Sequence, residues 1–303
     1  MRRKALWNWT LLVLVNAMWA AQFPAYKTAT EQIGPVTLCG LCFLGASLLL
    51  LPFFLRERRP APSARSRQNI LGFMMVGVWG LIPASALLAW GTQRSNASNA
   101  AILYLSVPLI TALLAWVVLC ERMTPLRWLS LALSLGGVLI LSGFDLRHAE
   151  FGNRRFLLGN LLVLGACASS SIYNVYSKEL LRRFSQFQVL VYGYWIATVL
   201  SIALAFSVER PSWAAVAAYR PATWISVLVL STMSWGLAMV LWMRLLQRLD
   251  VSQASVSIYL LPFLGVLLSV VTLHEKVTGA MLLGGAITLI GTLMITCTES
   301  HST

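Results

Sequence analysis

Apolar runs of about twenty residues follow one another along this chain, and its charges collect in the short stretches between them. A soluble fold does not tolerate that pattern, because 58% hydrophobic and 11% charged residues leave too little polar side chain to wet a surface. A helix rises about 1.5 Å per residue, so roughly 20 residues cross a hydrocarbon core about 30 Å thick. Runs of that length lie at 8–26, 35–55, 69–91, 97–119, 125–143, 157–178, 186–208, 222–245, 251–273 and 278–298. They are continuous and rich in Leu and Ala, whereas a barrel strand alternates apolar and polar over about ten residues. The expected fold is all-α and integral to the membrane, with ten transmembrane helices.

The net charge of +13 would suit a nucleic-acid partner if the bases formed a patch. They do not; they sit in the loops, so the expected partner is the lipid bilayer and not nucleic acid. With the N-terminus in the cytoplasm, the inner segments carry fifteen of the 23 Lys and Arg residues, including five in "RERRPAPSARSR" after the second run. Cytoplasmic loops collect positive charge, which predicts an inner-membrane, multi-pass protein with both termini cytoplasmic. The start, with Arg2, Arg3 and Lys4 before an apolar run, has the outline of a secretory signal. Asn16 and Trp19 within the run, and the lack of a clean small-residue cleavage site, make it an uncleaved first helix instead.

Five cysteines are scattered, and Cys39 and Cys42 form a CxxC inside an apolar run with no second pair and no nearby histidine. They read as packing residues, and no metal site is expected. The chain holds no Ser-His-Asp spacing, no Walker motif and no phosphate-binding glycine loop, so neither an enzyme nor an ATP-driven pump is expected, and no cofactor.

The hexapeptides "CERMTP" at Cys120–Pro125 and "HEKVTG" at His274–Gly279 expose a duplication. Setting position n against n+154 brings Pro108 to Pro262, Glu121 to Glu275, Thr124 to Thr278 and Gly137 to Gly291 without a gap. The halves divide at 1–150 and 151–303, with five runs each. An odd number of spans forces the second copy to cross in the opposite sense, so the expected architecture is two inverted five-helix repeats. Secondary transporters use such repeats, with a solute site near the bilayer midplane. Thr124 and Thr278 are placed to N-cap the following helices, so Glu121 and Glu275 read as turn residues rather than catalytic acids.

Every acidic residue falls in a loop or at a span end, which leaves uncharged polar groups as candidates to line a cavity. Asn16, Trp19 and Gln22 recur at i, i+3, i+6 in the first run, and Ser170, Tyr173 and Asn174 share a face of the sixth. Tyr104, Ser257 and Tyr259 come from the fourth and ninth runs and Trp235 from the eighth. Hydroxyls and amides in spans also glue helices together, so each candidate has a packing alternative. Lys27 and Lys178 end the first and sixth runs and are candidate contacts for a substrate carboxylate, or snorkel to the headgroups. Pro108 and Pro262, in the middle of the fourth and ninth runs, are hinge candidates, because proline removes a helix hydrogen bond. Ser130, Ser134 and Gly137 against Gly284, Thr288 and Gly291 form paired small-residue stripes, either an internal contact or the seam of a homodimer.

With Trp19-Ala20 and Lys27 in the first run, "NASNAAILYLSVPLI" and "DVSQASVSIYLLPFL" opening the fourth and ninth, and the two Glu-containing turns, the chain resembles the drug/metabolite transporter superfamily, in particular its EamA-type members. The family's usual Trp-Gly is Trp-Ala here. The resemblance implies a secondary transporter exporting a small amino-acid-like or amino-acid-derived metabolite, opine-type metallophores among them, by alternating access. An importer or exchanger of nucleobases, vitamins or other metabolites is the alternative within transport, and a non-transporting membrane receptor or assembly factor the alternative outside it.

Overall fold

The computed structural model describes residues 2–20, 22–57, 67–94, 103–141, 154–261, 264 and 279–298, and these are helical or in turns, with no strand among them. Helices α1 (Arg2–Ala20), α2 (Gln22–Thr30) and α3 (Pro35–Arg56) open the chain. Next come α4 (Arg67–Met74), a π-helical turn (Met75–Leu81) and α5 (Ile82–Arg94) as one rod, then α6 (Val107–Leu119) and α7 (Pro125–Leu141). The second half has α8 (Arg154–Leu181), α9 (Gln186–Val208), the short α10 (Trp213–Ala217), and α11 (Pro221–Val229) running through a second π turn (Leu230–Ala238) into α12 (Met239–Leu246). It ends with α13 (Val251–Val256), a 3-10 turn (Ser257–Tyr259) and α14 (Gly279–Thr298).

Among the described residues, Pro35–Arg56, Arg67–Leu88, Leu157–Leu181, Gln186–Val208 and Pro221–Leu246 are long and apolar enough to cross a membrane. Shorter apolar helices cover Leu6–Ala20, Val107–Leu119, Pro125–Ile140 and Leu283–Met294. The run expected at 8–26 holds α1 and the start of α2. Of the run expected at 251–273, the described part is α13, its 3-10 turn and the helical residues Leu260, Leu261 and Leu264, and Pro262, Glu275 and Thr278 lie outside the described residues. Exposed large apolar residues such as Leu48, Phe53, Trp116, Val117, Leu161 and Phe206 give the outer faces the apolar character that lipid requires.

Helices from the two halves pack on one another: α3 along α9, α5 along α8, and α7 along α14. The α3–α9 pair is tied at both ends by carboxylates. At one end Glu209, just past α9, accepts hydrogen bonds from the Val36 N–H (2.8 Å), the Thr37 N–H (2.9 Å) and the Thr37 hydroxyl (2.6 Å) in the first turn of α3. At the other end Glu57, just past α3, accepts from the hydroxyl of Ser185, the N-cap of α9. Ser185 and Gln188 form a reciprocal capping box, each bond 3.1 Å. A helix leaves its first N–H groups without intrahelical partners and its N-terminus partly positive, so carboxylates are favoured there.

The small-residue stripes meet inside one chain. A Cβ on Gly137 would lie 2.5 Å from both the Thr288 amide nitrogen and its hydroxyl oxygen, and one on Gly291 would lie 2.5 Å from the Ser134 hydroxyl oxygen. The stripe is therefore a contact between the halves, made possible by the missing side chains.

Candidate functional site

The second π turn sits where α2, α3 and α9 approach the eighth span. Its Trp235 is half-buried; the indole Nε1–H donates to the Tyr26 hydroxyl at 3.0 Å, and the ring stands edge-on to Phe43 with centroids 4.8 Å apart. Phe43 stacks on Tyr194 at 5.6 Å, and the Tyr194 hydroxyl donates to the Trp235 carbonyl at 2.6 Å. A π turn interrupts the α-helical hydrogen-bond register, and Tyr194 supplies a donor at the interruption. The Tyr104 hydroxyl is near enough to Tyr26 to interact electrostatically, and Ser170 lies beside Tyr104. Tyr26, Tyr104, Ser170 and Trp235 all keep part of their surface accessible, and none carries a charge.

This neighbourhood unites three residues singled out in the sequence, Tyr104, Ser170 and Trp235, with three that were not, Tyr26, Phe43 and Tyr194. A signal was present: Trp79-Gly80-Leu81 and Trp235-Gly236-Leu237 are the same tripeptide, one in each π turn. The two tryptophans differ in setting, since Trp79 is 59% exposed on the outer face.

The other candidates are packed inside. Trp19 is half-buried and meets Trp242 at 5.2 Å, and the Trp242 Nε1–H donates to the Asn174 side-chain oxygen at 3.1 Å. Tyr173 is buried, with its hydroxyl 3.8 Å from the Met239 sulfur, and Tyr259 is buried among Leu105, Leu131 and Val138. Asn16 and Ser257 meet: the Asn16 Nδ2 donates to the Leu12 carbonyl at 2.8 Å and to the Ser257 hydroxyl at 3.1 Å, linking α1 to the 3-10 turn after α13. Both are fully buried, and the Asn16 Oδ1 has no hydrogen-bond partner. The side chains of Gln22 and Lys27 lie outside the described residues.

That orphan oxygen separates the two readings of Asn16. Replacing a buried polar group by an apolar one of similar shape is nearly neutral for folding when no partner is stranded, and the Ser257 hydroxyl keeps its bond to the Ala254 carbonyl (2.7 Å). Asn16→Leu should therefore leave the melting temperature of the purified protein within a few degrees of wild type. If the oxygen serves solute, transport per folded molecule falls about tenfold, the value of one good polar contact.

Lys178 and Pro108 stand differently from their expected places. The Lys178 ammonium donates to the Leu246 and Leu249 carbonyls (2.9 Å for the latter), so it caps the C-terminus of α12, where a cation complements the helix dipole. Pro108 is in the first turn of α6, directly after a turn at Leu105–Ser106, so the chain is broken there rather than bent within a continuous helix. A proline in a first turn removes no intrahelical bond.

Past α6, Thr124 caps α7 as its hydroxyl accepts the Arg127 N–H at 3.3 Å. Glu121 is more than a turn residue. It is 8% exposed and accepts the Val251 N–H (2.7 Å), the Ser252 N–H (3.1 Å) and the Ser252 hydroxyl (2.7 Å) at the start of α13. Arg127, itself 5% exposed, pairs with Asp250, lies 3.9 Å from Glu121 and donates to the Ser252 hydroxyl at 3.0 Å. Among the described residues no group of histidines, cysteines and carboxylates is placed to hold a metal ion.

The profile of the EamA-like transporter family matches this chain twice, over residues 6–143 and 157–297. A protein of Streptantibioticus cattleyicolor named "probable terminal-alkyne amino-acid exporter" is 29% identical, covering 96% of this chain and 93% of its own. An uncharacterized transporter of Bacillus subtilis, YoaV, is 24% identical over 96% of this chain and 97% of its own, and one of Archaeoglobus fulgidus is 26% identical over 95% and 97%. A solved crystal structure superposes with a TM-score of 0.76 at 20% identity over 98% of each chain, a likeness of fold.

Proposed function

This chain belongs to the EamA-like transporter family, and on that premise we propose that it exports a small amino-acid-like or amino-acid-derived solute across the inner membrane by alternating access between two inverted five-helix halves. The observation that carries the reading is the uncharged aromatic neighbourhood of Tyr26, Tyr104, Ser170 and Trp235 at a break in helix geometry. Ring faces attract an ammonium group and bury an apolar side chain, while the Tyr26 hydroxyl, whose oxygen accepts the Trp235 N–H, keeps its own proton to donate to a carboxylate. The relative named for export of a terminal-alkyne amino acid supports that solute class.

The packing supports the inverted arrangement. The third span lies on the sixth through α5 and α8, and the eighth lies on the first through α12 and α1, a pairing that exchanges the halves. Pro108 keeps its role as a hinge candidate at the break before α6, and Asn16 with Ser257 joins the first span to the ninth. The charge bias of the loops favours cytoplasmic termini.

Metabolite levels in cells and medium, compared between a deletion strain and an overexpressor, test the assignment. One amino-acid-like compound should build up inside on deletion and outside on overexpression. The opposite movement identifies an importer, and no movement across that solute class removes the assignment.

A further inference from the structure

Glu57, Glu121 and Glu209 each bind the start of a helix in the other half, and their positions differ in a way that bears on movement. Glu209 and Glu57 bind opposite ends of the α3–α9 pair, one to the start of α3 and the other to the start of α9. A pair held at both ends behaves as one rigid body. Glu121 holds the start of α13, at the molecular end that also carries Glu57, since Arg244 and Arg248 line a pocket of about 320 Å³ with Glu57 and Ser185 just before Asp250.

Glu121 and Glu209 bind in the same way. Each carboxylate takes two successive backbone N–H groups and the hydroxyl of the second residue, Val251-Ser252 in one case and Val36-Thr37 in the other. Each also stands next to a non-glycine residue in the left-handed region, Cys120 at φ 56° and Arg210 at φ 50°. That conformation costs roughly 1 kcal/mol and is kept where the surroundings require it. Cys120 is the C-cap of α6, and its left-handed turn sends Glu121 away from the helix axis toward the other half. The Glu121 cluster adds Arg127, which bridges Glu121, Asp250 and Ser252 and so bonds α7 to α13.

At the start of α13, six residues of α-helix pass through a 3-10 turn into Leu260–Leu261, and the Asp250–Gln253 capping box supports the first turn. We propose that the Glu121 carboxylate is the latch of the mouth at this end: bound to Val251 and Ser252 it holds the start of the ninth span shut against the first half, and it lets go when the transporter opens here. The proposal rests on the alternating-access reading above, with the doubly tied α3–α9 pair as the part that stays still.

A single cysteine placed by Ser170→Cys in a chain lacking its native cysteines reports opening, through its labelling rate by a membrane-impermeant maleimide in vesicles of either orientation. Glu121→Ala should raise the rate from one face by about tenfold, the shift that losing one charge-assisted contact produces. Glu121→Gln and Ser252→Ala, which each remove part of the clamp, should raise it on the same face by about threefold. Glu209→Ala should leave it unchanged on that face. Monodisperse elution of each variant certifies folding, and Ser252→Ala keeps Glu121 intact. Unchanged labelling in all three latch variants, or an equal rise from Glu209→Ala, would overturn the latch. The assay needs no substrate, so failure of the amino-acid assignment leaves it standing, whereas equal wild-type labelling from both faces would overturn the alternating-access premise.

Discussion

Gly137→Val should strip the membrane fraction of folded protein, and Gly291→Val should do the same. A Cβ at residue 137 lands 2.5 Å from the Thr288 nitrogen and 2.8 Å from the Gly284 carbonyl oxygen, and one at residue 291 lands 2.8 Å from the Ser134 nitrogen. These are backbone atoms, so no rotamer change relieves the overlap, and the α7–α14 pair must separate. Overpacking of this kind costs about 3 kcal/mol, a large share of the marginal stability of a folded chain. The readout is the monodisperse peak of a fluorescently tagged protein on size exclusion in mild detergent. Gly136 has nothing within 4 Å of its would-be Cβ, so Gly136→Val should keep that peak. A normal peak for Gly137→Val would show that the two helices are not in contact as described. Loss of the peak for Gly136→Val as well would show that the damage is to helix insertion.

The small-residue stripes were legible because they rest on residues that composition does not supply. The alignment at +154 set Gly137 against Gly291, and in the α7–α14 contact Gly137 meets Thr288 while Gly291 meets Ser134. The class of the fold was legible from hydropathy alone, because lipid forces every backbone group to be satisfied within a helix. Helix breaks were less so. Hydropathy runs without a mark through Leu105–Ser106, where the chain turns before α6.

The site was partly legible. Polar residues at helical spacing marked Asn16, Tyr173 and Asn174, but spacing gives a face and not a depth, and these three are buried against other helices. Glu121 was placed correctly as a residue of a turn, yet its partners are 130 positions away in sequence, a distance no local pattern reports. Lys178 was legible as a span-end lysine; that its ammonium meets the last carbonyls of α12 depends on how the sixth span packs on the eighth. No sequence pattern marked Tyr26, but the π turn around Trp235 carries the repeated Trp-Gly-Leu. Its meaning depends on a local change of hydrogen-bond register that hydropathy does not express.

The tryptophan of that tripeptide carries the other large expected effect. Trp235→Ala removes the N–H bond to Tyr26 and the edge-on contact with Phe43 together. Each is worth about 1 kcal/mol, and the lost ring surface adds a similar amount. Transport per folded molecule should therefore fall roughly a hundredfold, since about 1.4 kcal/mol is a factor of ten. Trp235→Phe keeps a ring against Phe43 and loses the N–H, so it should fall about fivefold, as should Tyr26→Phe, which keeps the ring and loses the acceptor. The two conservative changes remove the same bond from opposite sides, so their double variant should be no worse than either alone. These rates are measured as efflux of the identified solute from loaded vesicles, with thermal stability measured on the same preparations. If the cluster is only glue between helices, Trp235→Phe lowers the melting temperature while efflux per folded molecule stays at the wild-type rate. If it receives solute, the order reverses, because a half-buried indole contributes little to packing beyond its ring, and without its N–H the Tyr26 hydroxyl is no longer held in place for the solute.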